Sequence, residues 1–279
     1  MRIRPMFNPT NFFRLLSLLC LLTIFFSCTS PRYIHGPTAL SIPYFQQKGD
    51  AKIGGFYSDN GSGTDTAYVH GYDLTGAYAL TSHVALTASY HRRREQDYYR
   101  GYRNDPFDTS LVRYKRWSWE AGGGYILPLD SRKAANLSFY SGVGLGNVSI
   151  NEAGRENGSN YSRFLQVQPF KFYLQPCFYF MTPAFRFAMA YRINWIWYNN
   201  LQSDYSTSEA QTFRLNQLTD RTMSFAEAAF DIQLRYPKLP WAALEGQMSF
   251  TGSSVHYYTR NFNVSGGLVI DPVLLFKAL

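Results

Sequence analysis

Residues 165–198 read LQVQPFKFYLQPCFYFMTPAFRFAMAYRINWIWY, and the alternation in this stretch decides the fold. Met181-Thr182-Pro183 divides it into two arms. In the first arm Phe170, Phe172, Leu174, Pro176, Phe178 and Phe180 share one face, opposite Lys171, Tyr173, Gln175, Cys177 and Tyr179. In the second, Phe185, Phe187, Met189, Tyr191, Ile193, Trp195 and Trp197 alternate with Arg186, Ala188, Ala190, Arg192 and Asn194. A period of two is the mark of a strand, because successive side chains point to opposite faces. Both arms exceed the roughly five or six residues of an ordinary soluble strand. They match the about 9–11 residues that a tilted strand needs to cross a bilayer. One face is large and apolar and the other carries the charge, as in a transmembrane barrel hairpin. A hairpin of a soluble β-sandwich alternates too.

Working outward, the same pattern recurs. Strands are expected near 48–57, 69–80, 84–91, 113–127 and 135–150 before this hairpin, and near 222–236, 241–250 and 260–270 after it, the last reaching toward Phe276. Between them short turns (Thr81-Ser82-His83, Pro128-Leu129-Asp130-Ser131, Pro237-Lys238-Leu239-Pro240) alternate with long polar stretches (58–63, 92–110, 151–160, 199–220, 251–259). Outer-membrane barrels combine long outer loops, short periplasmic turns and an even strand number. The expected fold is therefore an all-β, antiparallel up-and-down transmembrane barrel of about ten strands, within a range of about 8–12. Parity also sorts the charge. Lys52, Asp73, Glu120, Lys171, Arg186, Arg192, Glu227, Asp231, Arg235 and Glu245 all fall on the face opposite the apolar one. A cation on the lipid face at midplane costs about 2–4 kcal/mol, which accounts for the sorting.

Composition agrees. Tyr and Phe number 22 each with 5 Trp, and charged residues are 16% of the chain. Soluble domains average about 25% charged. A mean hydropathy of −0.26 is too polar for a helical membrane bundle. The first 27 residues read as a signal peptide: Arg2, Arg4 and Arg14 precede the apolar run LLSLLCLLTIFF at 15–26, followed by Ser27-Cys28. A single membrane anchor is the alternative, although the run is short for one. Residues 28–47, rich in Pro and turn formers, are expected as a periplasmic linker or a short piece tucked under the barrel, and residues 48–279 as the barrel. Without Cys20, the processed chain keeps Cys28 and Cys177.

Basic residues outnumber acidic ones, for a net charge of +8. Nucleic acid is not an expected partner, since there is no basic helix, zinc spacing or phosphate loop. The run His91-Arg92-Arg93-Arg94 falls in an expected loop. A solvated loop is the plain reading, and contact with the anionic sugar–phosphate surface of an outer membrane is the alternative. His35, His70, His83, His91 and His256 are scattered, so no metal and no cofactor is expected. Ser89 and His91 on the third strand and Glu120 on the fourth form a candidate nucleophile, base and orienter set. An ordinary polar lumen explains the same residues, and catalysis is not the expectation. Inward Gly122, Gly124, Gly142 and Gly144 make room for Tyr140 and Tyr173, or else line a ligand crevice. Because about eight strands leave an interior just filled by side chains, ten are expected to enclose a lumen laced with ion pairs.

The chain from residue 28 onward resembles the small outer-membrane β-barrel proteins of Gram-negative bacteria, of the type with a lipoprotein-like signal. The resemblance rests on this strand pattern, on Cys28 after a small residue, and on the lead-in Pro43-Tyr44-Phe45-Gln46-Gln47-Lys48-Gly49-Asp50. It implies outer-membrane localisation, lipid attachment at Cys28, both termini in the periplasm, and contact with outer-membrane lipid, lipopolysaccharide and the barrel assembly machinery. Two departures stand out. Phe25 and Phe26 occupy lipobox positions usually filled otherwise, and the chain ends Phe276-Lys277-Ala278-Leu279 rather than in a terminal Phe. Pro176 cannot donate to a ladder, so a bulge is expected there. The implied role is structural, binding or envelope interaction through the loops. An envelope-lipid or peptide enzyme and a narrow pore are the alternatives.

Overall fold

The structure, a computed structural model, describes residues 32–59, 68–100, 108–236, 238–252 and 259–278. The signal region, Cys28 and His256 lie outside the described residues. Ten strands run in order: β1 Ala51–Asp59, β2 Tyr68–Ala79, β3 Val84–Arg100, β4 Thr109–Pro128, β5 Ala135–Glu156, β6 Ser159–Met181, β7 Phe185–Ser203, β8 Met223–Arg235, β9 Ala242–Thr251 and β10 Phe262–Ile270. Each pairs antiparallel with its sequence neighbours, and β1 pairs with β10 to close the barrel. Closure removes the unpaired edges that an open sheet would leave.

Alternation puts the predicted apolar face outside. Leu74, Trp119, Leu145, Leu174, Leu234, Leu244 and Leu268 are all exposed on the outer wall. Toward the loop end the wall carries Tyr57, Tyr72, Trp117 and Trp197, and toward the turn end Tyr78 and Tyr125. An apolar band between two aromatic rings is the exterior of a membrane barrel. An apolar surface running all the way round exceeds the patches of a few hundred Å² tolerated on soluble monomers. Phe172, Phe187 and Trp195 are half-buried on this outer side rather than sealed in a core.

Four expectations about the strands and turns need correction. First, β3 continues to Arg100 instead of ending at His91, so Arg93 and Glu95 point inward from what reads as a loop. Second, β5 and β6 consume the expected loop 151–160 and meet at Asn157-Gly158, both at positive φ (50° and 80°). Asn-Gly is the pair that a two-residue hairpin turn of this hand demands. Third, Pro176 causes no bulge. It pairs opposite Phe139 on β5, and toward β7 the register is the same at Leu174↔Ile193 and Cys177↔Ala190. Its missing N–H is on the β7 side, and the irregularity lies instead between Gln166 and Gln168. Fourth, the chain does not extend as strand to Phe276. Asp271 accepts from the N–H groups of Val273 and Leu274 and caps a short helix, α2, Pro272–Ala278. Proline just inside a capped start is pre-organised for helix. A second short helix, Thr207–Thr212, lies in the β7–β8 connection and is called α1 (so α1 precedes α2 in the chain).

The largest correction concerns residues 32–45, expected as a linker beneath the barrel. They run through the lumen and are buried almost throughout. Gln46–Asp50 form the exposed approach to β1 at the turn end, whereas Arg32 sits at the loop end against Glu152 and Ser110. Pro37 and Pro43 remove two donors from a segment that has no ladder of its own. Lumen side chains satisfy several of the others: the Gln247 amide bonds both the N–H and the C=O of Leu40, Gln175 donates to Ser41, Lys52 to Ile42, and Tyr179 to Phe45. Buried backbone polar groups require such partners, so the polar lining and the threaded segment explain one another.

Candidate functional site

The described lumen has three layers. At the turn end Leu40, Ile42, Tyr44 and Phe45 pack on Ile126, Tyr140, Tyr179 and Met181. At the loop end Tyr33 and Ile34 pack on Val112, Tyr114, Ile150, Val167 and Phe225, with Tyr205, Phe213, Leu215 and Leu218 of the β7–β8 connection above them. Between these apolar plugs lies an ionic waist, where inward charges of β1–β4 and β6–β9 meet across the lumen.

Most of the predicted lumen charges meet there. Lys52 pairs with Glu245 at 2.7 Å. Asp73 accepts two bonds from the Arg93 guanidinium, at 2.7 and 2.6 Å, and one from His91 Nδ1 at 2.8 Å. Glu120 sits between Lys171 and Arg192, with Arg192 at 2.8 Å. Arg192 also bonds Gln175 and lies 4.2 Å from the Tyr173 ring centroid. Glu227 takes the imidazole of His35 from the threaded segment at 2.7 Å. Asp231 accepts from the Tyr44 hydroxyl and from Gln247. Arg186 and Arg235 point inward as expected but do not join this network. They line the mouth at the turn end.

The candidate catalytic set is brought together with one change of role. His91 Nε2 lies 3.0 Å from Ser89 Oγ, and its Nδ1 is held by Asp73, not by Glu120. Glu120 approaches the same Nε2 at 3.4 Å and competes for it. All these residues are buried, and the N–H of Ala39 reaches Asp73 from the threaded segment. The cavity beside His91 and Arg93 holds about 60 Å³, and Ser89 is not among the residues lining it. That is room for a few waters. The hydrogen-bonded order is that of a nucleophile, base and orienter, without space for a substrate at the hydroxyl. No group of His, Cys, Asp and Glu among the described residues is arranged to hold a metal ion.

Residues that sequence reading missed cluster at the loop end. Arg32 bonds Glu152, which also accepts from the hydroxyls of Tyr205, Ser110 and Tyr161. Glu95 gathers Tyr33, Arg116 and Arg260. Alternation past His91 was the available signal: Arg92 and Arg94 point out while Arg93 and Glu95 point in. The outward pair is joined on β4 by Arg113 and Lys115, so the basic run is half lumen network and half outer wall.

No family model and no curated protein matches the sequence. Among solved structures, the chain is similar to Neisserial surface protein A (12% identity, TM-score 0.33, covering 80% of this chain and 96% of that one). It is also similar to the translocator domain of the autotransporter NalP from Neisseria meningitidis (13%, 0.45, 80% and 88%). A third is the outer membrane protease OmpT from Escherichia coli (11%, 0.42, 84% and 99%). At such identities and TM-scores these likenesses say nothing about what this chain does.

Proposed function

We propose that the chain is a Gram-negative outer-membrane β-barrel, stoppered by its own N-terminal stretch, that acts without catalysis through its loops. The observation that carries this is the burial of residues 32–45 inside a closed barrel whose outer wall is apolar. The filled lumen argues against the narrow-pore reading. Long connections support a loop end at the cell surface and short turns in the periplasm. Recognition belongs to loops on a rigid scaffold, and here these include the β7–β8 connection with α1. Outer-membrane lipid, lipopolysaccharide and the barrel assembly machinery are the partners this reading implies. Arg94 lies directly opposite Lys115 on the outer wall, with Arg92 and Arg113 beside them. Like charges directly opposite are destabilising, so lipopolysaccharide phosphates at this height are the fitting counter-ions.

Single-channel recording tests the stopper. The intact protein is expected to show no steady conductance and a variant lacking residues 32–45 to conduct. Steady conductance by the intact protein overturns the reading. Labelling is a second measurement: Cys177, buried in the lumen, should resist a water-soluble maleimide until the barrel is unfolded.

A hydrolase is the second reading, and the Asp73–His91–Ser89 chain favours it. Covalent labelling by a fluorophosphonate that disappears in Ser89→Ala would establish it over the first.

A further inference from the structure

Below Tyr44 and Phe45 the turn-end mouth encloses a cavity of about 240 Å³, adjoining the ionic waist at Lys52. Its lining includes Lys48, Lys52, Arg186, Arg235 and Lys277, with Asp50 and Asp271 as the carboxylates. Lys52 is neutralised by Glu245. Both aspartates have local duties: Asp50 accepts from the N–H groups of Gln46 and Gln47, and Asp271 caps α2. Neither forms an ion pair with the arginines among the described residues. The Nε atoms of Arg186 and Arg235 are shut off from solvent and have no hydrogen-bond partner. Arg186 stands opposite Gln233, two residues from Arg235 on the same inward face, so the two guanidiniums are diagonal neighbours.

Two adjacent, half-buried guanidiniums with no carboxylate in hydrogen-bond contact, Arg186 reaching only the Tyr44 carbonyl, are what a network normally avoids, because buried N–H donors and charges need partners. In the waist every named charge has an opposite charge or a hydrogen-bond donor in contact, although single atoms such as Arg93 Nε have no hydrogen-bond partner. At the mouth the two arginines contact no carboxylate among the described residues, around a space large enough for a ligand. We propose that this mouth is a phosphate site, open to the turn-end side, for a phosphate-bearing small molecule. Four cations (Lys48, Arg186, Arg235, Lys277) against two carboxylates leave a surplus of two, the charge of a phosphate monoester dianion. A single carboxylate ligand carries half of that. Guanidinium forks match the oxygen spacing of phosphate, and the terminal nitrogens of the two arginines, not their solvent-shielded Nε atoms, supply the donors. The lysines sit at the rim, where a charge without fixed geometry suffices.

The test uses the full-length chain in detergent, with inorganic phosphate as the probe and sodium chloride at matched ionic strength as the control. Phosphate is expected to raise the unfolding temperature and to give a saturable titration by calorimetry, and chloride to do neither. Arg186→Gln with Arg235→Gln should abolish the titration. Lys48→Gln, an exposed position whose loss does not threaten folding, should weaken it by about tenfold, the scale of one charged hydrogen bond. Equal responses to phosphate and chloride overturn the proposal. So does a phosphate titration that the Lys48 and arginine variants leave unchanged. Acetate binding as tightly as phosphate overturns the assignment to a dianion.

Discussion

The apolar ends of the lumen and its ionic waist hold the same threaded segment in different ways. At the ends, Ile42, Tyr44 and Phe45 below and Tyr33 and Ile34 above are gripped by burial, which is non-directional and rewards volume. In the waist, the segment meets partners of fixed geometry: the Gln247 amide on Leu40, Glu227 on His35, Asp73 on Ala39. The ends therefore supply adhesion and the waist supplies register. A shift of the segment by one residue would leave the ends greasy but would strand several buried polar groups in the waist.

The sharpest way to break this contrast is to remove one waist charge. Glu120→Leu leaves Lys171 and Arg192 buried together without their carboxylate, and should cost about 3–5 kcal/mol. It should be read as a lower temperature of heat modification on a gel. Arg192→Leu and Glu227→Leu should follow the same direction. Ser138→Ala should move the transition by far less. Replacing the whole group by apolar residues of similar volume, as Glu120→Leu, Lys171→Met and Arg192→Met together, should be milder than the single change. A triple variant weaker than Glu120→Leu would mean that pairing is not what the waist contributes.

The wall beside the waist gives the next effect. A Cβ on Gly142 would lie 2.4 Å from the backbone oxygen of Ala121 and 2.6 Å from the Tyr173 hydroxyl. Gly142→Ala should therefore cost about 1–3 kcal/mol by overpacking. Because one clash is with backbone, Tyr173→Phe should relieve only part of it. Denaturant unfolding in detergent measures both. Full rescue by Tyr173→Phe would show that the β4–β5 approach is looser than the structure has it. At the apolar end the effect shrinks again: Ile42→Val removes one methylene from a fully buried site and should cost about 0.5–1.5 kcal/mol.

The strand pattern was legible in advance because period-two alternation needs no tertiary information. Lys171, Arg192, Glu227 and Glu245 could be assigned to the lumen from parity alone. The room for Tyr140 and Tyr173 could be read from Gly122, Gly124 and Gly142, and the structure bears it out. Parity carries no long-range information, however. It could not pair His91 with Asp73 rather than with Glu120, since both face inward on strands flanking β3. Nor could it see that residues 32–45 enter the barrel: an extended, proline-containing stretch reads as a linker whether it is solvated or threaded. Arg186 and Arg235 show the same limit, because facing inward does not fix the height at which a side chain meets its neighbours.

The smallest effect lies outside the barrel, at the lid of the loop-end apolar cluster, and it titrates. Glu209 on α1 accepts from the Ser206 backbone N–H at 3.0 Å and the Ser206 hydroxyl at 2.8 Å, and pairs with Arg163 on β6. Burial alone would raise its pKa. The hydrogen bonds from Ser206 and the Arg163 guanidinium outweigh that and hold it below the ordinary carboxylate range. A depressed folded value means that the unfolded loop binds protons first, so the stabilisation is complete above the usual carboxylate value and disappears as pH falls through the lower folded one. Amide exchange across 204–222 should therefore be more protected in the wild type than in Glu209→Gln from neutral pH down to about 5. The two should converge in more acid solution. A wild-type advantage that persists unchanged through that acid range would mean that the Glu209 carboxylate does not tie the lid to β6, and that the apolar cluster beneath holds α1 by itself.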